Sequence, residues 1–539
     1  MPDTHVNECL SCVDAFFLYL EQPGAPLNVA SISVFDGVIT LAECAKDIDS
    51  KLPLVPRFLQ RVVPPAFGIG LPTWQFDPSF SISNHLREIS LKRGTEAEFK
   101  ACASDVLSTH LDRNRPLWDI TLVHGLKDHR TGVIVRTHHC VLDGIAGVGM
   151  LKTLLDESPA GSKQPRRKRS NKVPEPRDGA SVLLDGLISS CFTAAQALLT
   201  THSQLLQMAQ HISVPREKEQ EAKLPPENGG MASSGISQFG DLARLLSELA
   251  RPTERLPYNV LCHGPQKFDW LELPMDEIAA VKHACAGTVN DVVLTTLTST
   301  LRRYAELHRL QVKGRTLRLV LPVNLRGTSE ANDTGNHITF LPVDIPFATR
   351  DPKKLIASVQ ERVQSSRTAH GAELVGLAAT MLGAVPSPLQ SMIGNVLSQL
   401  PISVCNSICT NVHGPRTPLY LQGHKMLSSY PYVPIGGEMG MNCAVLSYNG
   451  TLFVGFTGDA KAIPDLDRLP LFFRESFEEL KSAVGVRAPK RKTTQKRTTQ
   501  RKPKAMPAVS SSSLAEAAQY IATAPPLMSA AAGAGAGGD

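Results

Sequence analysis

No stretch of about eighteen apolar residues free of charge occurs in this chain, so a membrane-spanning helix is not expected. The first ten residues, MPDTHVNECL, lack the basic-then-apolar build of a signal peptide, and the reading is of a protein that is not exported. Cysteine patterning is also missing. The eleven cysteines are an odd number scattered from Cys9 to Cys443. The close pairs Cys9/Cys12 and Cys405/Cys409 have no second cysteine pair or histidine pair at zinc-finger spacing. They read as small buried residues of a reduced, cytosolic protein, with no structural metal.

A folded basic surface is lacking as well. The net charge of +6 is carried by two segments: Lys163–Arg177 holds net +6, and Arg487–Asp539 holds net +7. The remainder is therefore mildly acidic, at about −7. That excludes a folded cationic groove for nucleic acid. It suits a body held near an anionic surface such as phospholipid headgroups, or equally a body with solubilising linkers.

What is present is a chain long enough for two folded domains with extra segments. Strands are predicted over Val29–Gly37 and Thr131–His139, rich in β-branched residues and bounded by glycine. A helix follows from Gly144. Residues 161 to about 180 are a Pro/Lys/Arg linker. Beyond it, Leu184, Leu187, Ile188, Cys191, Ala195, Leu198 and Leu205 form one helical stripe, read as a helix packed between domains or lying on a membrane. A second strand/helix region contains LRLVLPVNLRG as a strand entering a turn and GTLFVGFTGD as a strand. Its long helix, DVVLTTLTSTLRRYAELH, puts Leu294, Leu297, Leu301 and Tyr304 on one face. The expected organisation is an N-terminal domain over 1–160, a basic linker and helical connector over 161–258, a second domain over 259–486, and a disordered tail over 487–539.

The densest chemistry lies in THHCVLDG, Thr137–Gly144. Adjacent histidines on a strand point to opposite faces, which disfavours a shared metal. Cys140 as a nucleophile needs a lowered pKa and a base within reach, and a small buried residue beside a turn is the simpler reading. A lone histidine base at a strand end is the third option, since imidazole is mostly neutral at pH 7. Asp143 then reads as a turn or ion-pair residue, and Gly144 lets the chain swing from strand to helix.

The string HHxxxDG, with a strand before it and a helix after, resembles the bacterial wax ester synthase/acyl-CoA:diacylglycerol acyltransferase family. That family belongs with chloramphenicol acetyltransferase, the plant HxxxD acyltransferases and peptide-synthetase condensation domains. The resemblance runs from Leu10 to about Leu480: LSCVDAFFLYLE, VPRFLQRV, RPLWDITLVHGL, TVNDVVLTTL, LPVNLRG, GNHITFLPVDIP, NVHGPRTPLYLQG and LSYNGTLFVGFTGDAKAIPDLDRL stand in the family's order. His413 replaces a usual proline, and Cys140 a usual small residue such as alanine.

The resemblance implies an α/β fold of two chloramphenicol-acetyltransferase-like domains with mixed sheets meeting along a central channel. It implies an acyl-CoA-dependent O-acyltransferase acting on diacylglycerol, a long-chain fatty alcohol, or both. His139 would be the general base and Asn290 the oxyanion or positioning donor. His138, Asp143, Gly144, Asp291 and Arg326 would be structural near the site, with Asp291 capping a helix and Arg326 pairing with Asp143. Pro116, Leu117 and Trp118 would line the channel. Acyl-CoA enters as co-substrate, with no cofactor and no metal. Peripheral association with a membrane or lipid inclusion, on the cytoplasmic side, follows from the apolar acceptor. The alternatives are an amide-forming condensation enzyme, although no carrier-protein domain accompanies this chain, and an inactive protein that binds lipid inclusions.

Overall fold

The structure is a computed structural model that describes residues 8–65, 71–142, 144–161, 253–324, 338–368 and 405–486, with positions 389 and 392. Asp143, Arg326, the basic segment 163–177, the apolar stripe 184–205 and the tail from 487 lie outside the described residues. All that is described belongs to one compact unit, Met1–Arg487.

In chain order the strands are β1 (Glu8–Cys9), β2 (Asn28–Phe35), β3 (Gln60–Val63), β4 (Thr73–Phe76), β5 (Leu86–Ser90), β6 (Trp118–Leu126), β7 (Arg130–His138) and β8 (Gln266–Pro274). They continue as β9 (Thr316–Asn324), β10 (Ile338–Pro346), β11 (Ser407–His413), β12 (Tyr420–Leu421), β13 (His424–Tyr432), β14 (Met441–Tyr448) and β15 (Thr451–Asp459). The helices are α1 (Cys12–Leu20), α2 (Leu41–Lys51), α3 (Glu96–Leu107), α4 (Gly144–Leu154), α5 (Met275–Ala284), α6 (Val289–Leu307), α7 (Pro352–Thr368) and α8 (Arg468–Ala483).

Two six-stranded mixed sheets organise the fold, in the orders β12-β13-β2-β7-β6-β5 and β10-β9-β11-β14-β15-β8. In the first, β5 runs parallel to β6 and the other pairs are antiparallel. In the second, β11 runs parallel to both β9 and β14. The strands read from sequence form within a residue or two of their expected limits, because their β-branched and aromatic residues favour extended backbone, and the one over Arg130–His138 and the one over Thr451–Asp459 are buried on both faces. The stripe Leu294, Leu297, Leu301 and Tyr304 on α6 is fully buried. It forms the second core with β9, β10, β14, β15, α7 and α8. The first core gathers α1, α2 and α3 on strands β2, β6 and β7.

A boundary at residue 259 does not separate the sheets. The hairpin β12–β13, from the second region, pairs with β2 of the first sheet, with Tyr430 opposite Ile32 and Ser429 opposite Ser33. β2 would otherwise expose a row of unpaired backbone groups, and the crossing hairpin caps that edge. Residues 420–432 therefore belong structurally to the first sheet. β13 also packs on β15: a Cβ at Gly455 would stand 2.2 Å from the Pro431 carbonyl oxygen, so glycine permits that approach.

Candidate active site

Strand β7 ends at His138 and α4 begins at Gly144, so the histidine pair occupies a strand-to-helix turn. Backbone bonds hold the turn from two sides. The His138 N–H donates to the Leu117 carbonyl at 3.0 Å, and the His139 N–H donates to the Leu27 carbonyl at 2.9 Å. The Val141 N–H closes the turn on the His138 carbonyl at 2.9 Å.

The two imidazoles have different surroundings. His138 is 1% exposed. Its Nδ1 lies 3.1 Å from the Cys140 amide, which can only donate, so Nδ1 keeps its lone pair and the proton sits on Nε2. Nε2 in turn faces Oε1 of Glu21 at 3.5 Å, a long approach that acts electrostatically more than as a strong hydrogen bond. This geometry assigns the Nε2 side of the His138 ring as the donor face. His139 is partly exposed, and its ring stacks on Phe17 of α1 with centroids 4.0 Å apart and planes 15° from parallel.

Glu21, the residue closing α1, is the electrostatic node beneath the turn. Oε1 accepts the Leu27 N–H at 3.0 Å and faces His110 Nδ1 at 3.4 Å, while Oε2 accepts from Arg113 Nη2 at 2.7 Å. Burial alone would raise its pKa. His138, Arg113 and the Leu27 amide outweigh that and hold the carboxyl well below the usual carboxylate range. The loop carrying His110 and Arg113 is itself anchored by Arg136 of β7. That guanidinium is fully buried, forks onto both oxygens of Asp119 at 2.9 and 2.6 Å, and donates to Val106 O, Thr109 O and Thr109 Oγ1.

Cys140 is buried, and burial, then the nearby Asp14 and Glu21 charges, push its thiol well above the usual value. Such a sulfur stays protonated and is no nucleophile. Of the three residues expected along a channel, Leu117 and Trp118 are buried in the first core and Pro116 is buried beside them in the chain. The Trp118 indole N–H donates to Phe58 O at 2.8 Å, and its ring stacks between Phe58 and His85. Burial depresses the His85 pKa despite its bond to the Trp118 carbonyl. Leu117 contributes its backbone carbonyl to His138, so this segment supports the turn from behind.

Asp291 closes a capping box at the start of α6, accepting the Thr288 N–H at 2.8 Å while its own N–H donates to Thr288 Oγ1 at 3.2 Å. Asn290 is the next residue back, on a helix packed against α5, α7 and α8. Asn290 itself is partly exposed at the helix start. The oxyanion assignment for Asn290 gains nothing from this placement.

Sequence reasoning missed Phe17 and Glu21. Their signal was the i, i+4 spacing within LSCVDAFFLYLE and a lone carboxylate ending an apolar helix.

Residues 10–293 match the family described as the wax ester synthase/diacylglycerol acyltransferase catalytic domain, and residues 334–481 its C-terminal domain. A Mycobacterium tuberculosis H37Rv protein named for diacylglycerol O-acyltransferase activity is 25% identical over 497 residues, covering 90% of this chain and 98% of its own. Among solved structures, the wax ester synthase/diacylglycerol acyltransferase of Marinobacter aquaeolei VT8 superposes with a TM-score of 0.59 at 21% identity, over 88% of this chain and 100% of that one. The first condensation domain of the calcium-dependent antibiotic synthetase superposes at 0.56 with 16% identity, over 90% and 98%. These structural likenesses establish the shared two-sheet fold.

Proposed function

The chain belongs to the wax ester synthase/diacylglycerol acyltransferase family of O-acyltransferases, and from that membership we propose that it transfers a long-chain fatty acyl group from acyl-CoA to diacylglycerol or a fatty alcohol, with His139 as general base. The observation that carries the role of His139 is the contrast within the pair: one ring is locked and buried, and the next stands partly exposed at the strand end, its plane set by Phe17.

In this mechanism His139 removes the proton from the acceptor hydroxyl as its oxygen attacks the thioester carbonyl. The tetrahedral oxyanion collapses by breaking the carbon–sulfur bond, and the imidazolium returns its proton to the departing CoA thiolate. The ester and free CoA are the products. The chain needs no cofactor for this, since the thioester supplies the driving force. A backbone-held imidazole limits the reorganisation needed at the moment of proton transfer.

The acceptor is apolar except for its hydroxyl, so the enzyme works peripherally at a membrane or lipid-inclusion surface on the cytoplasmic side. The basic segments at 163–177 and beyond 487 supply the charge that would attract anionic headgroups. Among the described residues, no helix is long and apolar enough to cross a membrane.

The test supplies purified protein with radiolabelled palmitoyl-CoA and either dioleoylglycerol or hexadecanol. Ester should form with at least one acceptor and disappear in His139→Ala. Folded wild-type protein that esterifies neither acceptor would refute the reading.

A further inference from the structure

Helix α1 reaches the histidine turn with two side chains on one face, Phe17 and Glu21. The carboxylate is in an expensive place. A helix C-terminus carries partial negative charge and favours cations, and a buried carboxylate must recover its lost hydration. Glu21 is nevertheless 5% exposed, and the groups aimed at it explain why it is there. Leu27 is clamped at both ends: its N–H donates to Glu21, and its carbonyl accepts the His139 N–H. His138 presents Nε2–H to the same carboxylate, while its Nδ1 holds the Cys140 amide. The residues on either side of His139, and the Leu27 segment that binds its backbone just before β2, thus converge on one carboxylate. Phe17, one helical turn before, covers a face of the ring itself.

We propose that Glu21 and Phe17 are positioning residues for the His139 base: Glu21 fixes the turn and the orientation of His138, and Phe17 sets the plane of the reacting imidazole. The proposal rests on His139 being the base. It assigns α1 a part in catalysis without contact to substrate. The titratable and charged groups facing Glu21 are His138 from β7 and His110 and Arg113 from the loop after α3, with Asp14 of α1 near Cys140.

Two readouts on the full chain test this. The first is selective 15N-histidine NMR. Wild type should show a solvent-protected Nε2–H proton from His138, assigned by its loss in His138→Ala. Glu21→Ala should expose that proton to rapid exchange. Glu21→Gln, whose carbonyl oxygen can still accept the Leu27 N–H and face His138 Nε2, should keep it protected. The second is steady-state kinetics. Glu21→Ala should lower kcat about 10–100-fold, with KM for donor and acceptor within about twofold of wild type, since misplacing a reacting group by about 1 Å costs on that order. Glu21→Gln should recover to within about fivefold of wild type. Phe17→Leu, which keeps apolar volume but loses the flat face, should lower kcat at constant KM, and Phe17→Tyr should restore it.

An unchanged protected proton in Glu21→Ala overturns the proposal, as does an unchanged kcat. Equal losses in Ala and Gln would reduce Glu21 to a folding role and overturn it too. If wild type forms no ester, the functional reading falls, and the exchange of the His138 proton still decides whether Glu21 holds the pair.

Discussion

The two halves of the molecule bury polar groups in different ways. The first half buries charge: Glu21 beside the histidine turn, held by the half-exposed Arg113, then Arg136 with Asp119, and Lys51 with Asp47 and Asp156. The second half has ion pairs too, but its deepest loops hang on neutral amides. Asn259 donates to the carbonyls of Asn406 and Glu438 at 3.0 Å each. Asn406 accepts the Arg318 N–H at 2.8 Å and donates to Glu254 O at 2.8 Å and Asn259 Oδ1 at 2.9 Å. Asn442 ties Ile408 N–H to Pro434 O in the same manner. Amides clamp backbone without titrating. Buried charges cost hydration and add stability unreliably, so their gathering beside a histidine pair points to control of protonation and orientation. Clamping alone would be met by asparagine.

The comparison can be broken most forcefully at Arg136. Arg136→Met leaves Asp119 buried without its fork, and denaturant unfolding should show a loss of about 3–5 kcal/mol. Adding Asp119→Leu should recover much of that loss, because the cost lies in the stranded charge. A double variant as unstable as the single one would mean that the loop contacts to Val106 and Thr109 carry the stability. In the second half, Asn406→Ala strands the Arg318 amide and should cost about 1–3 kcal/mol. That loss should be the same at every pH where the protein is folded, since no group it touches changes charge.

Acid separates the halves in a third way. The carboxyl of Glu21 is held below its unfolded value of about 4.3. Its contribution is therefore fully present above that pH and is lost as pH falls through it toward the folded value. Urea midpoints of Glu21→Gln should start lower at neutral pH and fall less steeply below about pH 4.5 than those of wild type. The Asn406→Ala curve should instead run parallel to wild type.

How far these differences could be read from the sequence follows from what each depends on. Strands β2, β7 and β15 were legible from β-branched residues bounded by turn residues, and the α6 stripe from its helical periodicity, because both signals are local. The motif THHCVLDG was legible as a strand-to-helix turn for the same reason. The crossing of β13 into the first sheet was not, because a strand's partner some four hundred residues away leaves no mark on its own alternation. Pro116, Leu117 and Trp118 were read as channel lining. They stand close to the turn, and the packing of Trp118 against Phe58 and His85 comes from elsewhere in the chain and leaves no local mark. Asn290 was drawn to the site by motif alone, and its position at the start of α6 neither adds to nor removes that reading. Phe17 and Glu21 were quoted as part of a motif without their meeting with His139 and His138 being visible, since that meeting is made entirely by tertiary structure.

The smallest effect expected is at the residue that looks most reactive. Cys140 follows His139 in the turn, yet its thiol is buried and held protonated by its surroundings. What Cys140 contributes to the turn is its backbone N–H to His138, which alanine supplies equally. Cys140→Ala should therefore keep most of the ester-forming rate and cost about 1 kcal/mol for the lost sulfur packing, whereas Cys140→Pro removes the amide and should unlock His138. Alanine and proline variants of equal activity would show that the His138 tautomer does not depend on this bond. An inactive alanine variant with unchanged stability would return the thiol to the chemistry and displace His139 as the sole reacting group of the turn.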